Sequence, residues 1–403
     1  MKRPTVLLVT QVYIPDFASV GQHLHDLSRE LVARGRRVVV LTPSGGYDDP
    51  GRKFHFRETI DGVKIVRLPF CTFGKTPIIM RLLGGLSLVI QSMFMGLFVP
   101  GLTHILVSTA PPMAPLAALF IGLFRRVRVI YWVMDLNPDQ LIAAGRMQES
   151  SCFVRLCEFM NRSFLRRSDS IVALDSYMAK RVEKKVLLAD RMRIIPPWPY
   201  ENQFASVKHA ANPFRKQRCM DGKFVVMYSG NITPVHPIQT LLDAIKRLKK
   251  RKNLVFVFIC AESPRNELDE FARANGIHNL VTLPYVPLDL TQYSLSAADL
   301  HVVTMGNNMV GVVHPCKVYG IMSVGRPFLV IGPKRSHLGE IYTTDSICWQ
   351  VDHGDVEGTV HRILEAYALK KRDLRAMGNR ARDIAMTRFS RKTLCAEFCK
   401  AFE

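Results

Sequence analysis

Short β-branched and leucine-rich runs recur along the chain, separated by longer stretches with helical spacing of apolar positions. This is the pattern of strands buried in a parallel sheet and of the helices that cover it. Thr5–Thr10 (TVLLVT) predicts a buried strand. A loop containing Pro15 and Gly21 follows, then a helix of about four turns that stops at Gly35, a residue suited to a helix C-terminus. Arg37–Thr42 (RVVVLT), Val63–Leu68, His104–Ser108, Arg128–Val133, Ser170–Leu174 and Met192–Ile195 predict further strands, with an Ala- and Leu-rich helix after Pro115. Alternation of this kind builds a doubly wound α/β domain.

The pattern breaks at Pro196-Pro197-Trp198-Pro199, and residues 201–222 are polar and irregular, as expected of an interdomain linker. It then restarts. Phe224–Tyr228, Leu254–Cys260, Leu280–Thr282, Leu300–Val303 and Pro327–Ile331 predict strands, with an amphipathic helix over Ile238–Lys250. Arg372–Glu403 predicts one or two terminal helices. Two α/β domains follow: residues 1–198 and 223–385, joined by 199–222.

Leu82–Val99 departs from this rhythm, being almost wholly apolar behind Arg81. Three readings stay open. Its length reaches that of a membrane span. It lies between two predicted strands, which suits a buried helix. It could also lie in a membrane interface, with Arg81 and Lys75 meeting lipid phosphates.

Composition narrows the class. Apolar content of 48% over 403 residues excludes a disordered chain. The nine cysteines are scattered, which fits a reducing compartment and buried apolar roles better than a zinc site. Thr5–Thr10 is too short for the core of a secretory leader. Lys and Arg number 55 against 34 Asp and Glu, a net charge of +21. Such an excess points to anionic partners: nucleic acid, a membrane surface or a phosphate-bearing substrate.

Four loops could carry chemistry, each following a predicted strand, where open α/β sheets bind ligands. Tyr13–Gly21 (YIPDFASVG) precedes the first helix, with Gly21 allowing close backbone approach and His23 just inside the helix. Asp135 in YWVMDLNPD directly follows a strand, an unfavourable place for a carboxylate without a use. Asp139 follows Pro138, where it can equally cap a helix. In YSGNITPVH, Ser229, Gly230 and Asn231 form a small-residue turn ahead of His236, freeing backbone amides for phosphate. In GVVHPCKVYGIMSVGRP, Lys317 opens a short helix that carries Tyr319 and Gly320 and suits a phosphate partner.

In this order and spacing, these pieces resemble glycosyltransferase family 4. They include the strand–YIPD loop, Ala33-Arg34-Gly35, STAPP at 108–112, VMDLNPD at 133–139, YSGN, HPIQTLLDAI and PCKVYGIMSVGRP. The D-L-x-P-D and P-C-K-x-Y pieces resemble the branch that adds amino or deoxy sugars to cell-surface polysaccharides. The resemblance implies a GT-B fold: two Rossmann-like doubly wound domains facing a cleft, with residues 386–403 returning to the N-terminal domain. It implies retaining transfer from a nucleotide-sugar donor, held by the C-terminal domain, to an acceptor held by the N-terminal one. Ser229, Gly230, Asn231, His236, Lys317, Tyr319 and Gly320 are then expected at the donor. Gly21, His23 and Asp139 are expected at the acceptor loops, and Asp135 at the reacting centre. No cofactor and no metal is expected, because helix amides and basic side chains neutralise the leaving diphosphate.

The chain also departs from the family. The paired glutamates of many members fall on Val312 and Gly320, and the usual phosphate-binding Arg and Lys fall on Asn231 and His236. Two functions from different classes follow. One is a transferase acting on a lipid-linked glycan acceptor, peripheral to the cytoplasmic face of an anionic membrane. The other is a weak or inactive nucleotide-sugar-binding scaffold. Nucleic acid is set aside, since the basic run KRLKKRK at 246–252 continues a helix and matches no nucleic-acid module.

Overall fold

The computed structural model of the chain describes residues 3–16, 19–46, 51–71, 78–199, 206–342 and 347–403. It divides into two compact units, Met1–Pro196 with Lys392–Glu403, and Pro197–Arg391.

The first unit is built on an eight-stranded sheet. Its strands are β1 (Thr5–Val9), β2 (Arg37–Pro43), β3 (Arg57–Ile60), β4 (Val63–Leu68), β5 (Leu102–Ser108), β6 (Arg128–Val133), β7 (Ser170–Ala173) and β8 (Met192–Ile194). Their order is β3-β4-β2-β1-β5-β6-β7-β8. All pairings are parallel except the β3–β4 hairpin at the edge. Every side chain of β1 is buried, because helices cover both faces of a parallel sheet. The strand order reverses between β1 and β5, so the loops leaving these two strands part to either side and open a crevice at the carboxyl edge.

The last helix, Arg391–Cys399, packs on this unit. Phe398 meets Trp132 edge to face at 4.9 Å, and Arg36 Nη2 donates to the Phe402 carbonyl at 2.8 Å. Residues 386–391 stay with the second unit.

The apolar segment of uncertain role forms the helix Ile78–Leu97. Leu88, Val89 and Ser92 are buried, and the helix lies against Ala114–Arg125. Gly96 allows that approach, since a Cβ there would stand 2.3 Å from Ile121 Cδ1. Only about a third of Ile79–Leu97 is buried, so this is not an ordinary core helix. It is long and apolar enough to cross a membrane, yet it connects β4 to the central strand β5 and lies along the sheet. Lys75 lies outside the described residues.

The second unit holds a six-stranded, wholly parallel sheet. Its strands are β9 (Phe224–Ser229), β10 (Leu254–Ile259), β11 (Leu280–Leu283), β12 (Leu300–Thr304), β13 (Phe328–Ile331) and β14 (Cys348–Val351), in the order β11-β10-β9-β12-β13-β14. Phe256, Phe258, Leu300 and Ile331 pack with Leu241 and Ile245 of the helix Gln239–Leu248 in its core. Here the switch point falls between β9 and β12.

The expected linker is corrected in part. Residues 206–222 are packed structure of the second unit, with a short helix Pro213–Gln217 capped by buried Asn212. Phe214 and Met220 enter the core beside Val225 and Met227. Arg215 is buried and donates to the carbonyls of Ala297, Met220 and Lys223 and to Asp299. Polar composition suggested a linker because these side chains bond inward rather than to water. Residues 200–205 lie outside the described set.

Candidate functional site

In the second unit, the residues expected at a donor gather at the switch point. β9 ends at Ser229, and Gly230 turns the chain with φ 135°, a conformation open to glycine. A Cβ at Gly230 would lie 3.0 Å from Lys317 Nζ, so glycine also makes room for the ammonium. Lys317 opens the helix Lys317–Ser323, and its Nζ donates to Tyr228 Oη at 3.0 Å. The same Nζ lies 4.2 Å from the centroid of the Tyr228 ring, a cation–π distance. Tyr228 Oη donates onward to the Asn231 carbonyl at 2.7 Å. Tyr285, after β11, donates its hydroxyl to Asn231 Oδ1. Burial pushes the Lys317 ammonium down to about 7 and the Tyr228 phenol upward. A cation held this way, with no carboxylate paired to it among the described residues, is poised for an anionic oxygen.

His236 and Tyr319 are used differently. His236 Nδ1 donates to the Thr304 carbonyl at 2.9 Å, closing the Gly230 loop onto the end of β12. Burial and the neighbouring Lys317 charge hold His236 down at about 4, so it is neutral and supplies no cation. The Tyr319 hydroxyl meets His314 Nε2 at 2.8 Å, and its ring packs edge to face on Phe389 at 5.0 Å. It therefore fixes the helix rather than facing Lys317. Gly320 lies on that helix, where a Cβ would stand 3.6 Å from Leu295 Cδ1, an ordinary contact. Val312, at the other glutamate position, is fully buried.

In the first unit, Asp135 leaves the end of β6 half-buried. Thr109 Oγ1 accepts from its backbone N–H at 3.1 Å and from that of Met134 at 3.2 Å, which fixes the turn. Burial raises its carboxyl to about 6, so the group changes charge near neutral pH. The loop after β1 is tied across the crevice by Gln11 N–H to the Ala110 carbonyl at 3.1 Å. Buried Arg67 holds the same loop, donating to the Ile14 carbonyl and to Glu58, both at 2.6 Å.

Gly21 is needed here, but for the chain itself: a Cβ would stand 3.1 Å from Tyr13 Cα. His23 is buried, its Nδ1 meeting the Ser19 carbonyl at 2.8 Å. Asp139 lies in the first turn of Asp139–Ala143 and pairs with Lys185 at 2.7 Å, joining a cluster with Glu158. Phe17 and Ala18 of the loop lie outside the described residues.

Several positioning groups were missed in the sequence: Arg67, Thr109, Tyr228 and Tyr285. Arg67 looks like an ordinary strand residue with no local pattern to mark it, and Thr109 lies within STAPP, whose resemblance named no role for it. Tyr228 had a signal, since a tyrosine one residue before a strand's end reaches the carboxyl edge.

Comparison with known proteins agrees with the two-unit fold. Residues 19–198 match the glycosyl transferase 4-like domain. Over 376 residues the chain is 23% identical to WcaI of Escherichia coli K12, which carries the description "Putative colanic acid biosynthesis glycosyl transferase", covering 89% of this chain and 91% of WcaI. Sucrose-phosphate synthase from Thermosynechococcus elongatus superposes with a TM-score of 0.78 at 14% identity, covering 99% of this chain and 98% of that one. Anabaena HepE, in complex with UDP and glucose, gives 0.73 at 13% identity and 99% coverage of both. The two doubly wound units have the fold of GT-B glycosyltransferases, and the first is similar over residues 19–198 to the glycosyl transferase 4-like domain.

Proposed function

We propose that the chain transfers a sugar, with retention of anomeric configuration and without a metal, from a nucleotide-sugar donor to a glycan acceptor of polysaccharide assembly. The acceptor is lipid-linked and the protein works at the cytoplasmic face of the membrane. The observation that carries this reading is the Lys317–Tyr228–Gly230 cluster at the switch point of the second unit. In it Lys317 neutralises the leaving diphosphate, with turn amides near Gly230 supplying further donors. Charge development on the leaving oxygen is then met by a group already in place, which lowers the barrier without reorganisation.

Asp135 is assigned to the acceptor. A carboxyl near 6 is ionised in part at neutral pH and can accept the proton of an attacking hydroxyl. Asn231 and Tyr285 flank the donor side. His236, being neutral, shapes the loop. WcaI supports a polysaccharide role through its description, and HepE supports a nucleoside-diphosphate donor through its bound UDP and glucose.

A panel of UDP-, dTDP-, GDP-, ADP- and CMP-sugars, offered with a membrane lipid extract, tests the reading. Transfer that keeps the donor's anomeric configuration, persists in EDTA and is lost in Lys317→Ala is the expected result. A second reading, a nucleotide-sugar-binding scaffold, is favoured by Val312 and Gly320 at the glutamate positions. Binding of a donor with no transfer across the panel would establish it instead.

A further inference from the structure

We infer that three neighbouring helices of the first unit form one face that seats the protein on an anionic bilayer. The inference rests on the membrane reading above and names the surface responsible. The chain runs β4, β5, β6, β7 in one direction across the sheet, so right-handed crossovers set the intervening helices on one side. These include Ile78–Leu97, Ala114–Arg125 and Cys152–Arg167. The first two are in close contact at Gly96 and Ile121. Arg125 also donates to the carbonyls of Leu97 and Val99, fastening the end of the first helix to the second.

Their outer surface is apolar. Leu86, Ile90 and Phe94 stand one, two and three turns along a single face of Ile78–Leu97, and all are exposed. Phe124 on the second helix is 64% exposed, and Phe159 on the third is 67% exposed. An apolar face of this breadth on a soluble surface marks an interaction site.

Charge selects the occupant. The three helices carry six arginines and one acidic residue, Glu158. That glutamate is already paired with Arg162 at 2.8 Å and Lys185 at 2.6 Å. Arg81, Arg155, Arg166 and Arg167 are exposed. Apolar side chains among arginines match acyl chains beneath phosphate headgroups. A second copy docking through the same face would set the arginines of one against those of the other. A spanning helix would need Ile78–Leu97 to leave the Ala114–Arg125 helix it is packed on.

Flotation with vesicles tests this, using phosphatidylcholine alone or with about one third phosphatidylglycerol. The full chain should float with the anionic vesicles, more weakly with the neutral ones, and less at high salt. Replacing three exposed rings, Phe94→Ser, Phe124→Ser and Phe159→Ser together, should lower vesicle affinity roughly tenfold or more. Circular dichroism and nucleotide-sugar binding, measured on the same samples, should not change. Replacing Phe94→Trp should give an emission shifted to the blue by anionic vesicles. Equal flotation of wild type and the triple variant, or no flotation of either, overturns the inference. So does a dimer, seen by light scattering, that the triple variant dissolves while vesicles bind neither form. If vesicles fail while donor transfer to a soluble acceptor persists, the transferase reading stands alone. If vesicles bind and no donor does, the failure belongs to that reading instead.

Discussion

Lys317 gives the sharpest prediction. In the free protein, burial holds its ammonium at about 7, so at pH 8.5 the side chain is mostly neutral. A diphosphate beside Nζ favours the charged form and pulls the bound-state pKa back up. Donor binding above pH 7 must then take up a proton. The sign follows: affinity is highest below pH 7, where the charge is already present, and falls as pH rises. If the bound-state pKa exceeds about 10, donor affinity at pH 8.5 should be about 25-fold weaker than at pH 6.5, or roughly 1.9 kcal/mol. Calorimetry with an intact nucleotide sugar, in buffers of different ionisation enthalpy, reads both quantities. Near pH 8, about 0.9 proton should be taken up per donor bound. Lys317→Ala should bind weakly with no slope, and Lys317→Arg should lose the slope because guanidinium stays charged. Wild-type affinity that is flat between pH 6.5 and 8.5, with no proton uptake, would refute the placement of the diphosphate on Lys317.

Three further outcomes are expected. Asp135→Asn should reduce the transfer rate about 10²- to 10⁴-fold while leaving donor affinity unchanged. In wild type the acid limb of kcat/KM should fall away below about pH 6, where the Asp135 carboxyl is protonated, and Asp135→Asn should remove that limb. Gly230→Ala should weaken donor binding and cost about 1–3 kcal/mol of stability, read by donor titration and urea unfolding, because φ 135° and the 3.0 Å approach to Lys317 Nζ both resist a Cβ. Arg215→Ala should cost about 2–4 kcal/mol in urea unfolding, since it removes a donor from the carbonyls of Ala297, Met220 and Lys223 and one partner of Asp299, and an unchanged midpoint would contradict its structural role.

Most strands of the sequence analysis were legible because they lie in the interior of a parallel sheet, β8 and β11 being the edge strands among them. Residues covered on both faces form unbroken apolar runs, as in β1 and β10. The two strands it lacked are edge or terminal elements. β3 (RETI) alternates toward solvent, and β14 (CWQV) is four residues long with polar Gln350 facing partly outward. Composition misjudged residues 206–222 for a different reason: a buried arginine whose bonds all turn inward reads in sequence as a solvated one.

At the candidate site, the positions of Gly230, Lys317 and Asp135 followed from strand ends and turn residues. Their chemistry did not. The sequence places Lys317 and His236 alike at the donor, and their surroundings separate their roles. His236 spends its Nδ1–H on the Thr304 carbonyl beside an existing charge, whereas Lys317 sits on a tyrosine face. The net charge of +21 likewise divides once the fold is known. Arg81, Arg155, Arg166 and Arg167 stand exposed beside an apolar face of the first unit, whereas the Lys317 cluster belongs to the second.

The central claim is that the donor diphosphate rests on Lys317. A crystal structure with an intact, non-transferable nucleotide-sugar analogue tests it most directly. The account predicts a phosphate oxygen within hydrogen-bond distance of Lys317 Nζ, beside the Gly230 turn. A diphosphate bound elsewhere, with Lys317 still donating only to Tyr228, would contradict it.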